Sequence, residues 1–276
     1  MRPARKMFRI GIVGAGAIGK EIARAIDNGT IPAKLVAVYD RDTAEAARLA
    51  ERLKSKPKVL SLEELVQESN FIVEAASQAA VKEVAIAALS NSRSVMIMSV
   101  GALADKELLE KIKSLAKEHL CSIYVPSGAV CGLDGVKSAS VCRIHSVTIT
   151  TRKPVEGLKG APFIVKNNID IEKFTEPTTI FSGPASVAIK EFPANVNVAA
   201  SLSLVGIGFE KTVVNVVVDP SIKRNMHEIA VKGEFGELRT VVENVPSKMN
   251  PKTSLLAALS AIATLKQVCE PLKIGT

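Results

Sequence analysis

A glycine-rich turn followed by a carboxylate is the first place in this chain where residue type and spacing could do chemistry. Gly14-Ala15-Gly16-Ala17-Ile18-Gly19 ends the short apolar run 8–13 and leads into Ile22, Ala25 and Ile26 at helical spacing. Asp40 closes the next apolar run, 34–40, roughly 20 residues further on. In this order the residues describe a strand, a turn, a helix and a second strand built to hold a dinucleotide. Gly14 permits the tight turn, Gly16 lets a pyrophosphate approach the backbone, and Gly19 lets the helix pack on the strand, while the helix start at Ala17 and Ile18 offers unpaired N–H groups and a positive dipole end. Asp40 is placed to accept from the ribose hydroxyls of NAD. Arg41 beside it could grip the 2′-phosphate of NADP, although Asp40 would repel that phosphate. A fold of this type that binds no dinucleotide is the competing reading, and the completeness of the pattern counts against it.

The second candidate centre is His227, in the polar run 219–228 (Asp-Pro-Ser-Ile-Lys-Arg-Asn-Met-His-Glu). An imidazole titrates near working pH and could serve there as general acid or base. Lys223 and Arg224 stand close enough in sequence to hold an anionic substrate, and could equally be a solvated face. His119 ends a charged helix and His145 starts a strand, so both read as surface or capping residues. Asn195 and Asn197 open an Asn/Ala/Leu segment, where an asparagine either caps a helix, worth about 1 kcal/mol, or presents a carboxamide near the nicotinamide; spacing favours neither. Cys121, Cys131, Cys142 and Cys269 form no CxxC pair and have no histidine spaced for zinc, so they read as reduced thiols and no metal is expected.

Elements that would position these residues alternate through the first half of the chain. Apolar runs at 8–13, 34–40, 71–76, 94–100 and 121–125 read as strands, and 43–54, 78–89 and 105–120 as helices between them. Such alternation implies a Rossmann-type doubly wound parallel sheet. After Pro126 the pattern changes to the loop Ser127-Gly128-Ala129-Val130-Cys131-Gly132, strands at 145–153 and 213–218, and a helix at 195–209 between two proline-bearing arms. This half reads as an α+β domain on an open sheet. The apolar helix at 253–272 carries too little charge to stand alone and is expected to return to the first domain. The reading is therefore an α/β chain with a dinucleotide-binding domain over 1–125, a substrate and dimerisation domain over 126–249, and the segment 250–276 packed back on the first.

Composition bounds what such a molecule can be. At 276 residues with 47% hydrophobic content, two domains with full cores are within reach. The basic N-terminus runs into a strand without a small-residue cleavage site, and no apolar run reaches the roughly 18 residues that span a bilayer, so a cytoplasmic protein without membrane attachment is expected. A net charge of +8 suits either a nucleic acid or a small anion. The cations are dispersed and no nucleic-acid motif is present, which favours the small anion.

Several segments together carry a family resemblance: Gly-Ala-Gly-Ala-Ile-Gly, Val-Glu-Ala-Ala-Ser (73–77), Ser-Val-Gly-Ala-Leu (99–103), Val-Pro-Ser-Gly-Ala (125–129), Phe-Pro-Ala-Asn-Val-Asn-Val-Ala-Ala (192–200) and Arg-Asn-Met-His-Glu-Ile (224–229). Across nearly its whole length the chain resembles the L-aspartate dehydrogenase family, and the last two segments are the specific ones. The resemblance implies a second domain similar to that of dihydrodipicolinate reductase, a homodimer, NAD or NADP as oxidant, and L-aspartate as substrate. Aspartate would be oxidised to iminosuccinate, which water converts to oxaloacetate and ammonia and which could feed NAD biosynthesis. By the same match His227 is the active-site histidine, and Ala129 and Asn197 contact the cofactor, as do Ala76 and Ser77 in the 73–77 segment; a shift of two leaves Asn195 open as the alternative to Asn197. Cys131 departs from the small residue expected in its loop. Two rivals remain. Another dehydrogenase of a small polar substrate would share the scaffold, although Ser99-Val100-Gly101-Ala102 stands where sugar enzymes carry Glu-Lys-Pro. The other is a non-catalytic nucleotide-sensing or nucleic-acid-binding protein, which would bind without turnover.

Overall fold

The computed structural model describes residues 7–193, 197–247, 249–250 and 253–275. They form two compact units, one of residues up to Pro126 together with Ala258–Ile274, the other of Ser127–Ala257 with Gly275.

In the first unit β1 (Arg9–Val13), α1 (Ala17–Asp27), β2 (Lys34–Tyr39), α2 (Thr43–Arg52), β3 (Lys58–Val59), α3 (Leu62–Glu68), β4 (Phe71–Glu74), α4 (Gln78–Ser90), β5 (Ser94–Ile97), α5 (Lys106–Glu118) and β6 (Ile123–Tyr124) follow one another. The strands make one parallel sheet in the order β3-β2-β1-β4-β5-β6. A parallel sheet covered on both faces needs strands that are apolar throughout, which is why β1 and β4 are short continuous hydrophobic runs. The helices bury one stripe each: Gly19, Ile22, Ala23, Ala25 and Ile26 in α1. Asp42 caps α2 through the N–H groups of Ala44 and Glu45, and Ser61 and Glu64 close a capping box on α3. β3 and α3 fill the interval 55–70, which the sequence reading left without elements.

The second unit holds α6 (Leu133–Ala139), β7 (Ile144–Lys153), α7 (Val155–Leu158), α8 (Pro162–Lys166), β8 (Thr178–Pro184), α9 (Ala185–Glu191), α10 (Asn197–Val205), β9 (Thr212–Val218), β10 (Asn225–Gly233) and β11 (Gly236–Asn244). Its sheet runs β11-β10-β7-β9-β8, antiparallel except between β7 and β9. Along β10 the buried positions are Asn225, His227, Ile229 and Val231, and along β7 they are Val147, Ile149, Thr151 and Lys153. One face is thus packed and the other open. The β10–β11 hairpin closes at Gly233 and Gly236, and Gly236 takes φ 111°, which glycine adopts without strain.

The last helix, α11 (Leu255–Cys269), begins in the second unit and from Ala258 belongs to the first. Ala261, Leu265 and Cys269 join Ile10, Ile12, Ile22, Phe71 and Met96 in one core cluster. This accounts for its low charge. Among the described residues no helix is long and apolar enough to cross a membrane.

Candidate active site

The strand order of the first unit reverses between β1 and β4, and ligands of open parallel sheets bind beyond the carboxyl ends of strands at such a switch point. The loops found there are the glycine turn after β1 and the residues 75–77 after β4. Gly14 lies at φ 107°, donates its N–H to Tyr39 O at 2.8 Å, and leaves no room for a Cβ against the Ala75 carbonyl. A Cβ at Gly19 would strike the carbonyl of Gly14, whereas Gly16 has nothing within 4 Å on that side. No side chain caps the start of α1 at Ala17 and Ile18, and no acidic residue stands in its first turn. The arrangement fits a pyrophosphate, which would take the helix-start N–H groups next to the open side of Gly16.

Asp40 is half-buried at the end of β2. One carboxylate oxygen accepts from Ala15 N–H at 2.7 Å and the other from Asp42 N–H at 2.9 Å. It therefore holds the glycine turn while keeping lone pairs for ribose hydroxyls. Arg41 is exposed beside it, and Ala76 and Ser77 are exposed at the start of α4.

Glu74, which sequence reasoning did not single out, is fully buried at the end of β4. It accepts from Ala76 N–H at 2.9 Å, Ser99 N–H at 3.0 Å and Ser99 Oγ at 2.9 Å. One carboxyl group thereby ties together the loops that follow β4 and β5. Burial pushes its pKa up, against the hydrogen bonds that draw it down. The available signal was a carboxylate ending a strand that is otherwise apolar on both faces.

In the second unit His227 is 4% exposed on the packed face of β10. Its Nδ1 shares a hydrogen bond of 3.0 Å with Thr151 Oγ1, its partner across the β10–β7 ladder. Lys153, also 4% exposed, lies two residues further along the same face of β7. Burial and the charge of Lys153 hold the imidazole down to about 3, so it is neutral at working pH. Burial lowers the Lys153 ammonium to about 8, and it still carries its charge at neutral pH. Asn225 joins the group: a point one Cβ from Gly157 lies 3.5 Å from Asn225 Oδ1 and 3.5 Å from Lys153 Cβ. Asn244, opposite Asn225 on β11, donates from Nδ2 to Ala129 O at 3.0 Å.

Ala129 is thus buried and pinned to the sheet, and a Cβ at Gly128 would meet Val198 at 3.6 Å, which brings the start of α10 beside this loop. Asn197 is the first residue of α10 and half-buried. Asn195 lies outside the described residues. Cys131 is exposed, and its carbonyl accepts from Thr240 Oγ1 at 3.3 Å.

Sequence proximity proves misleading for Lys223 and Arg224. Both are exposed, and Arg224 pairs with Glu243 at 3.5 Å, so neither joins the buried group around His227. Both lie in the bend before β10 begins at Asn225, and the cation that does join comes from another strand. Lys153 was not singled out from the sequence; the alternation Val147, Ile149, Thr151 is the signal that places it on the packed face once that face is known. Among the described residues no cluster of His, Cys, Asp or Glu is arranged to hold a metal ion.

Replacing Thr151 by valine keeps its shape and removes the hydroxyl bonded to the imidazole. A buried ring nitrogen left unpaired costs about 1–3 kcal/mol, and a ring freed to rotate misplaces its other nitrogen. We expect Thr151→Val to lower kcat by about tenfold to a hundredfold with cofactor affinity unchanged, read from steady-state kinetics and NAD titration.

A six-stranded parallel sheet with a glycine turn and a carboxylate ending its second strand, joined in one chain to a mixed sheet with a buried imidazole, defines a two-domain oxidoreductase of the Rossmann class. The model of the NAD-binding domain of homoserine dehydrogenase matches residues 14–126, and that of the aspartate dehydrogenase C-terminal domain matches residues 134–268. The chain is 80% identical over 270 residues to the L-aspartate dehydrogenase of Methanocella arvoryzae, covering 98% of this chain and 100% of that protein. It is 55% identical over 271 residues to the L-aspartate dehydrogenase of Methanosarcina mazei, covering 98% and 100%. The crystal structure of aspartate dehydrogenase from Thermotoga maritima superposes with a TM-score of 0.78 at 28% identity, covering 97% of this chain and 99% of that one. The chain belongs to the L-aspartate dehydrogenase family.

Proposed function

We propose that this protein oxidises L-aspartate to iminosuccinate with NAD, and also with NADP, and that water then converts iminosuccinate to oxaloacetate and ammonia. In this reading the first unit, with the returning helix α11, binds the dinucleotide through Gly14, Gly16, Ala17, Ile18, Gly19, Asp40, Arg41, Ala76 and Ser77, and the second binds substrate. Ala129 and one of Asn195 and Asn197 complete the cofactor contacts. The observation that carries the reading is the neutral imidazole of His227 buried beside a cation on one sheet face, in a member of this family.

Bound NAD or NADP supplies the hydride acceptor. In the tautomer that donates from Nδ1–H to Thr151 Oγ1, His227 presents the lone pair of Nε2 and takes a proton from the substrate ammonium or from the attacking water. Burial is the larger cause of the depressed imidazole and the charge of Lys153 the smaller; a dicarboxylate brought to this face offsets the smaller one, which makes the ring a better base when substrate is present. Iminosuccinate leaving before hydrolysis would serve pyridine nucleotide biosynthesis. A cytoplasmic homodimer completes the reading, and Val213 and Val241, exposed on the open face of the second sheet, offer apolar surface for a second copy.

The test is a panel of amino acids with each oxidised cofactor, following reduced nicotinamide. Aspartate should exceed asparagine and alanine by at least about a hundredfold in kcat/KM, because a buried cation left without its anion costs several kcal/mol. Comparable values for asparagine would remove the dicarboxylate assignment.

A further inference from the structure

The geometry points to Lys153 as the cation that receives a carboxylate of the substrate, with Asn244 Oδ1, two strands away on the far side of Asn225, as the acceptor for the substrate amino group. The inference rests on the aspartate reading above and names residues for it.

Four observations carry it. Lysine is almost never fully buried without a task, yet Lys153 sits on the packed face of β7 at 4% exposure. It retains its charge at neutral pH although burial lowers it to about 8. The other cations of this region are directed elsewhere: Arg152 pairs with Asp219 at 3.2 Å, Arg224 pairs with Glu243, and Lys223 is exposed. Lastly, Asn244 is 2% exposed and its Oδ1 has no hydrogen-bond partner among the described residues. The amide cannot be turned to cure this, because its Nδ2 must face the carbonyl of Ala129, which only a donor satisfies.

Lys153, Asn225 and Asn244 stand near the same ends of three neighbouring strands, two residues along from the His227–Thr151 row. A buried ammonium, a buried acceptor and a neutral imidazole in this order suit a small anion that also bears N–H donors, which is the chemistry of an amino dicarboxylate. An ammonium has three donors, so a carboxylate can join whatever Lys153 already contacts.

The experiment uses NAD-loaded protein, with succinate as a dicarboxylate probe in a thermal-shift titration and aspartate in steady-state kinetics. The variants are Lys153→Met, which keeps length and loses charge, and Lys153→Gln, which keeps N–H donors and loses charge. Both should lose the succinate-dependent rise in Tm and raise KM for aspartate at least about a hundredfold, with NAD affinity within twofold of wild type. Asn244→Leu should raise KM for aspartate while retaining the succinate shift, because succinate has no amino group. An unchanged KM and succinate shift in Lys153→Met overturns the assignment, and so does loss of the folded state in both lysine variants. Should wild type bind succinate but not oxidise aspartate, and the lysine variants lose that binding, the reaction falls and the subsite stands. Turnover of aspartate by wild type and by Lys153→Met alike gives the reverse.

Discussion

His227→Asn is expected to bind NAD with near-native affinity, melt within a few degrees of the wild type, and lose at least about a hundredfold in kcat. Asparagine retains a polar group that Thr151 Oγ1 can bond, so the ladder between β10 and β7 keeps its pairing. What it cannot do is exchange a proton. A histidine that merely filled the packed face would leave turnover largely intact, and a variant within threefold of wild-type kcat would remove His227 from the mechanism. Acid stability gives a second, independent reading. The imidazole is held at about 3 in the native protein against an ordinary value of 6.5, so the unfolded chain takes up this proton first. The stabilisation is therefore complete above pH 6.5 and is lost as pH falls toward 3. Denaturant melts across that window should show a shallower loss of stability for His227→Asn than for the wild type, because the variant has no group to titrate there.

The parts of the fold that were legible in the sequence are those where burial leaves a simple pattern. In a parallel sheet both strand faces are covered, so β1, β2, β4 and β5 read as largely apolar runs, and the glycine turn followed by Asp40 fixed the order of β1, α1 and β2. β3 escaped because it is two exposed residues long, and α3 went unassigned although Ser61 and Glu64 hold capping-box spacing. In the second half His227 stood out as a residue, but the polar run before it concealed that it belongs to a strand. The register that pairs it with Thr151 is set by a strand 76 positions earlier in the chain, and no local spacing encodes such a partner. The same distance hid Lys153. Lysine conventionally reads as surface, and only the alternation of β7, once its packed side is known, turns it inward. Lys223 and Arg224 show the converse, since closeness in sequence to His227 leaves them exposed in the bend before β10 and not on its packed face.

Asp40 is where a single substitution should move cofactor choice furthest. Its carboxylate has two duties, holding the N–H groups of Ala15 and Asp42 and, in the proposed complex, accepting from the adenosine ribose. Asp40→Ala disturbs the glycine turn for either cofactor, so absolute affinity will fall for both. The ratio of the two dissociation constants cancels that shared loss, because the turn meets the same pyrophosphate in NAD and in NADP. What remains in the ratio is the ribose end. NAD loses a charge-assisted hydrogen bond worth about 1.5–3 kcal/mol, whereas NADP is relieved of a carboxylate facing its 2′-phosphate and keeps exposed Arg41 beside it. Both changes favour NADP, and at about 1.4 kcal/mol per tenfold they should shift the ratio by roughly two orders of magnitude. Fluorescence titration of the variant with each reduced cofactor measures it. If the two affinities fall by the same factor, Asp40 serves only the turn, and the ribose must be read by another residue.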